Sequence, residues 1–87
     1  MSRHEVAAKD PRHKVIVGWD HPMLTFFAQV IDRAKEEAGK DEKFVLWIGA
    51  SYREIYEIDE LAARLHRYAA LPAELRAALY GDKDDGR

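Results

Sequence analysis

Residues 14–32, with the sequence KVIVGWDHPMLTFFAQVID, constrain the fold of this chain most strongly, because they are apolar on two faces at once. Successive side chains of an extended chain point to opposite sides. Val15, Val17 and Trp19 would therefore share one face of a strand, and Ile16 would lie on the other. A chain of 87 residues has few helices with which to cover both faces of a sheet. The pattern predicts an apolar sheet face that is left for a partner.

The stretch that follows the turn signal Asp20-His21-Pro22 supports two interpretations. In the first, residues 24–32 form a second strand that pairs antiparallel with the first, since the run TFFAQVI is rich in the aromatic and β-branched residues that suit a pleated surface. Its two faces would be formed by Phe26, Ala28 and Val30 and by Phe27, Gln29 and Ile31.

In the second interpretation, Pro22 is the first residue of a helix that ends before Gly39. Apolar residues do recur at helical spacing, at Leu24, Phe27, Ile31, Ala34 and Ala38. We prefer the strand, because the β-rich part comes first and the good helix formers of DRAKEEA come last. A strand that ends at Asp32 and is followed by a helical turn is also compatible with the pattern.

The second half of the chain predicts one strand and two helices. The apolar run FVLWI, residues 44–48, has the length of a short strand and is ended by Gly49. A helix is expected over residues 59–70, and a second one begins at Pro72 and ends at Gly81. Between the strand and the helices, SYRE has the Ser-x-x-Glu form of a capping box.

These elements predict a small α+β domain, with a mostly antiparallel three-stranded sheet followed by a C-terminal helical hairpin. The alternative is a βαβ front with a helix at residues 22–38. We expect residues 1–13 to form a flexible arm, residues 14–81 a single domain and residues 82–87 a disordered tail.

Composition narrows the range of functions. The chain has no cysteine, which excludes a disulfide, a zinc–thiolate site and a cysteine nucleophile. The formal net charge of −2 is too near balance to indicate a nucleic-acid or membrane surface. No apolar run approaches the length of a membrane span, and the first residues lack the apolar stretch of a signal peptide, so we expect a cytoplasmic protein. The four histidines have no metal-site spacing, and we expect no metal and no cofactor.

The segments VGWDHP, TFFAQV, FVLWIG and YAALPAELRAALYGDKD resemble those of a group of small bacterial proteins found on proteobacterial plasmids and other mobile elements. The resemblance covers most of the chain after residue 13. It implies an accessory role, such as regulation or interference with a host system. It implies no activity, cofactor or catalytic residue that can be carried over to this chain.

Two groups of polar residues suggest alternative functions. Asp20 and His21 could form a carboxylate-oriented general base in a small enzyme, although neighbours in an extended chain point to opposite sides. Arg53, Arg64 and Arg67 could give a nucleic-acid-binding accessory protein a basic edge. The second of the two late helices has no Asn or Gln to read bases, so we expect no nucleic-acid partner.

The aromatic residues carry the preferred functional prediction. Aromatic side chains that are exposed on a sheet face are typical anchors of protein interfaces. We expect Trp19, Phe27, Trp47 and Tyr56 to form such a surface. The sequence therefore predicts a non-catalytic protein-interaction or regulatory module, which binds a protein partner or a second copy of itself through an apolar sheet face.

Overall fold

The alternating segment folds into a long β-hairpin. The computed structural model describes residues 1–86, in which β2 (His13–Asp20) pairs antiparallel with β3 (Thr25–Asp32) along the whole length of both strands. The strand interpretation is therefore confirmed, and the long helix at residues 22–38, with its βαβ front, is wrong. A short helix, α1 (Arg33–Glu37), follows β3 directly, because the Asp32 side chain accepts the backbone N–H groups of the first helical turn.

Two further strands complete an antiparallel sheet of order β1-β2-β3-β4. β4 (Phe44–Ile48) is the predicted FVLWI strand, and it follows a single 3-10 turn at Asp41–Lys43. β1 (His4–Val6) lies within the stretch expected to be a flexible arm, so the sheet has four strands and not three. β1 is held because Val6 is buried in the core and because the Ser2 N–H donates to the Trp19 carbonyl.

The helices α2 (Ile58–Leu65) and α3 (Ala73–Asp85) pack against β3 and β2 respectively, on one face of the sheet. Pro72, which the sequence places at the first position of this helix, is the N-cap of α3, one residue before the helix begins. The α+β class is confirmed. The core between sheet and helices is made of aliphatic and aromatic side chains, among them Val15, Val17, Trp19, Phe26, Ala28, Val30, Leu61, Leu65 and Leu79.

Helix α3 does not end at Gly81, so part of the expected tail is structured. The Asp82 carboxylate is hydrogen-bonded to the imidazole of His4 in β1, with 2.7 Å between Oδ2 and Nε2. Lys83 lies 3.6 Å from the ring centre of Tyr56 and donates to the Tyr56 carbonyl. These contacts extend the helix to Asp85, with Gly86 as its C-cap; residue 87 of the expected tail lies outside the described residues.

After β4 the chain turns and returns beside the start of β3. Gly49 makes the turn possible, since its φ is +80° and a Cβ there would lie 2.0 Å from the Phe26 carbonyl oxygen. The returning segment is fixed by hydrogen bonds from the Phe26 N–H to the Ile55 carbonyl (2.8 Å) and from the Ile55 N–H to the Thr25 hydroxyl (2.8 Å). The end of β4 is therefore positioned by β3.

The Ser-x-x-Glu pattern closes this turn and does not begin a helix. The Glu54 carboxylate accepts the N–H groups of Gly49 (3.0 Å) and Ser51 (3.3 Å) and lies 3.3 Å from the Arg64 guanidinium. The hydrogen bond from Gly49 is the main cause of a lowered pKa of the Glu54 carboxyl, and Ser51 and Arg64 lower it further.

We expect Thr25→Val to destabilise the protein by about 2 kcal/mol, because the valine keeps the shape but leaves the buried Ile55 N–H without its acceptor. Thr25→Ser keeps the hydroxyl and loses one methyl group, at a cost of about 1 kcal/mol. Unfolding by denaturant measures both. A valine variant as stable as the serine variant would contradict the role of this hydroxyl.

Glu54→Gln should make the free energy of unfolding less dependent on pH in the acidic range. Since the pKa of Glu54 is lowered in the folded state, its carboxylate stabilises the fold above the ordinary value of 4.5, and this contribution disappears as the pH falls through the folded-state pKa. We therefore expect a loss of about 1 kcal/mol at neutral pH that vanishes in acid, measured by denaturant unfolding across pH.

The matched control is Glu57→Gln, since the exposed Glu57 side chain makes no hydrogen bond or ion pair within residues 1–86. We expect it to change the free energy of unfolding at neutral pH by less than about 0.5 kcal/mol. If the loss of unfolding free energy in Glu54→Gln stayed constant down to strongly acidic pH, the ionised Glu54 carboxylate would not be its cause.

Candidate functional site

The sheet has one face covered by helices and one face without them, which we call the open face. Cross-strand partners share a face and successive pairs alternate between the two faces, so the register assigns every second pair to the open face. Its side chains come from all four strands: Glu5, Lys14, Ile16, Phe27, Gln29, Ile31, Phe44 and Trp47.

The centre of the open face is shielded although no long helix covers it. Ile16, Phe27 and Ile31 are buried. A Cβ at Gly18 would lie 2.7 Å from the Phe27 ring and 2.0 Å from the Ser2 carbonyl oxygen, so the glycine admits both groups on this face. One end of the face carries ion pairs, from Lys14 to Glu36 at 3.6 Å and from Arg33 to Glu5 at 3.5 Å. The free apolar surface is therefore smaller than the sequence pattern suggests.

The exposed apolar surface around the open face comes from β4 and from Met1, which is 67% exposed and lines the groove that Trp47 also lines. Trp47 is 52% exposed and Val45 is 43% exposed. The Phe44 and Trp47 rings are in contact, with their centres 4.7 Å apart and their planes tilted by 36°. Lys43 lies 5.5 Å from the Phe44 ring centre. Contact with Phe44 restricts the motion of the Trp47 indole and leaves much of it open to solvent.

β4 is also an edge strand. It is last in the sheet order, and over residues 1–86 its residues make no backbone hydrogen bond outside the ladder with β3. Edge strands usually carry charges that prevent further pairing. The five residues of β4 carry none, although Lys43 precedes them and Val45 is an extra residue in the register with β3.

A groove of about 220 Å³ lies beside Trp47 on the open face. Phe27 and Trp47 give it apolar walls, and Arg3, Asp20 and Gln29 line it with polar atoms. The Arg3 guanidinium makes no ion pair with another described residue. The groove thus combines aromatic surface with charges of both signs.

The four aromatic residues predicted to form one surface do not lie together. Phe27 and Trp47 share the open face and line the groove. Trp19 is 1% exposed and packs edge-on against Phe26 in the core, so its assignment to a binding surface is wrong. Tyr56 is partly exposed but lies against Trp19 and Lys83 on the side of the helices. Trp19 and Phe27 lie on opposite faces of the sheet, as their alternation predicts. The helices cover the face that carries Trp19, which the sequence does not reveal.

The structure does not join Asp20 to His21. The Asp20 carboxylate accepts the Met23 N–H at 3.4 Å, whereas the His21 ring accepts the Trp19 indole N–H at 3.4 Å. Within residues 1–86 the two side chains make no hydrogen bond or ion pair with each other. The arrangement of a carboxylate-oriented base is absent from this turn.

The three arginines of the predicted basic edge have different environments. Arg53 lies over the Tyr56 ring, 5.3 Å from its centre. Arg64 lies between the carboxylates of Glu54 (3.3 Å) and Glu60 (3.6 Å). Arg67 is exposed. The two carboxylates offset the charge of Arg64, which makes this edge a weak attractor for phosphate.

Sequence reasoning missed Val45 and Arg3. Val45 could have been found, because it stands two residues before Trp47 and so shares its side of an extended strand. Arg3 carries no such signal, since its position depends on the pairing of β1 with β2.

The described chain offers few other sites. No group of three or more His, Cys, Asp or Glu side chains in residues 1–86 is placed to hold a metal ion. Among the helices of the same residues, none is both long and apolar enough to cross a membrane. No family model, curated protein or solved structure matches the chain. The open face must therefore be interpreted from its own chemistry.

Proposed function

We propose that this chain is a non-catalytic protein-interaction module that binds its partner through β4 and the adjoining open face. The proposal depends on one observation, the exposure of Trp47 and Val45 on an edge strand without charges. A cytoplasmic accessory role, as implied by the resemblance to proteins of mobile elements, belongs to the same proposal.

The side chains of β4 can supply binding energy. Burial of a large apolar side chain contributes about 1.5–3 kcal/mol, and tryptophan is enriched among the residues that dominate interfaces. Contact with the tilted Phe44 ring restricts the Trp47 indole before any partner binds. Less conformational entropy is then lost on binding, which favours Trp47 as the anchor.

The backbone of β4 can supply direction. The outer edge of this strand presents free N–H and C=O groups, to which an extended segment can add as a further strand. Such a segment would place every second side chain next to Val45 and Trp47. An apolar, extended protein segment is therefore the partner chemistry that fits β4.

The groove can supply specificity. Arg3 and Asp20 lie in it with opposite charges, and Gln29 adds an amide. Polar groups beside an apolar anchor orient a partner more than they strengthen its binding. A partner with complementary charges next to its apolar segment would be selected over one without them.

The proposal can be tested with a phage-displayed library of random linear peptides, selected on the immobilised protein. We expect apolar peptides whose binding weakens by about thirtyfold for Trp47→Ser, which is the effect of removing an interface anchor. Circular dichroism and denaturant unfolding check that this variant folds, and Val45→Ser provides a second, smaller truncation of the same surface.

The matched control is Tyr80→Ser, which removes an exposed aromatic residue from α3 and should leave peptide binding unchanged. Peptides that bind wild type and Trp47→Ser equally well would show that β4 is not the docking surface. So would a selection that enriches no peptide, together with no Trp47-dependent association of the protein with itself.

A further inference from the structure

We infer that the partner on β4 is a second copy of this chain, with the two β4 strands paired antiparallel across a two-fold axis at Leu46. The inference rests on the proposed function, and it adds the identity of the partner and the register. The sheet would then continue from one copy to the other through both β4 edges.

The spacing of the exposed side chains supports this register. Val45 and Trp47 stand on either side of Leu46, so antiparallel pairing about Leu46 places Val45 of each copy opposite Trp47 of the other. Both side chains are exposed in the single chain. Aromatic and β-branched residues make favourable cross-strand pairs, and the symmetry forms this pair twice.

The charges around β4 are compatible with self-pairing. In the same register, Lys43 lies opposite Gly49 of the copy, and Glu42 lies opposite Ala50. No charged residue therefore faces a like charge across the axis, and residues 44–48 bring no charge of their own.

The other edge of the sheet gives a contrast. A two-fold pairing of β1 about its middle residue would place Glu5 opposite Glu5 of the copy, and like charges that are directly opposite destabilise a sheet. β1 is also only three residues long. Of the two edges, β4 alone is self-complementary in both shape and charge.

The extra residue at Val45 limits how far the pairing can extend. It interrupts the regular register next to Phe44, so the added ladder is short and Trp47 must contribute much of the contact. We therefore expect a reversible dimer of the weaker, transient class.

Sedimentation velocity from micromolar to millimolar concentration tests self-association. We expect a monomer–dimer equilibrium for wild type and Tyr80→Ser. The dissociation constant should rise by at least about thirtyfold in Trp47→Ser, because the variant loses the anchor in both copies. Val45→Ser, which removes the other half of the same pair, should weaken the dimer as well.

Cysteine cross-linking tests the register. The chain has no cysteine, so Leu46→Cys introduces a single thiol at the proposed axis. Directly opposite residues have Cα atoms about 4.5–5.5 Å apart, within the range of a disulfide. Mild oxidation should therefore give a covalent dimer of this variant, whereas Tyr80→Cys on α3, which packs against β2, should stay monomeric.

The sedimentation and cross-linking results together decide whether the chain pairs with itself through β4. A dimer that depends on Trp47, with a disulfide at position 46 and none at position 80, supports the inference. A wild-type monomer at every concentration overturns it, and Trp47-dependent peptide binding would then leave the proposed function standing. A dimer that forms no disulfide at position 46, or forms one equally at position 80, overturns the proposed pairing.

Discussion

The pairing of β2 with β3 determines the rest of this structure. It places Val15, Val17 and Trp19 on the same face as Phe26, Ala28 and Val30, and that face becomes the core under α2 and α3. Because side chains alternate, a slip of one residue would move this whole set to the other face. β1, β4 and the returning segment at Ile55 all pair with these two strands, so their positions follow from the same register.

The sequence predicts the features that depend on local patterns and fails where the pattern is weak. The β2–β3 hairpin follows from alternation and from β-rich composition, and β4 follows from its short apolar run. Pro72 marks the start of α3. β1 has three residues with one strong β-former, and its pairing depends on contacts with Trp19 that no local pattern shows. Alternation separates Trp19 from Phe27, but only the packing of the helices decides which of the two becomes core.

The apolar side chains of the open face are shielded from solvent to different degrees along the face. The Phe27 ring packs against Gly18 at the centre, and ion pairs of Lys14 and Arg33 lie at one end. β4 has no such cover. The surplus surface that the sequence predicts for the whole face is therefore reduced to the β4 edge that carries Trp47 and to Met1 beside the groove.

The exposure of Trp47 is hard to explain by stability alone. Its indole is in contact with the partly buried Phe44 ring, and still half of this large apolar side chain faces water on an edge strand. Such an edge favours aggregation, and a polar residue at this position would remove that risk at small cost to the fold. Proteins tend to keep features that are unfavourable for stability and solubility where binding requires them. We therefore infer that the apolar edge of β4 is retained for binding a partner, since its exposed side chains contribute little to the core.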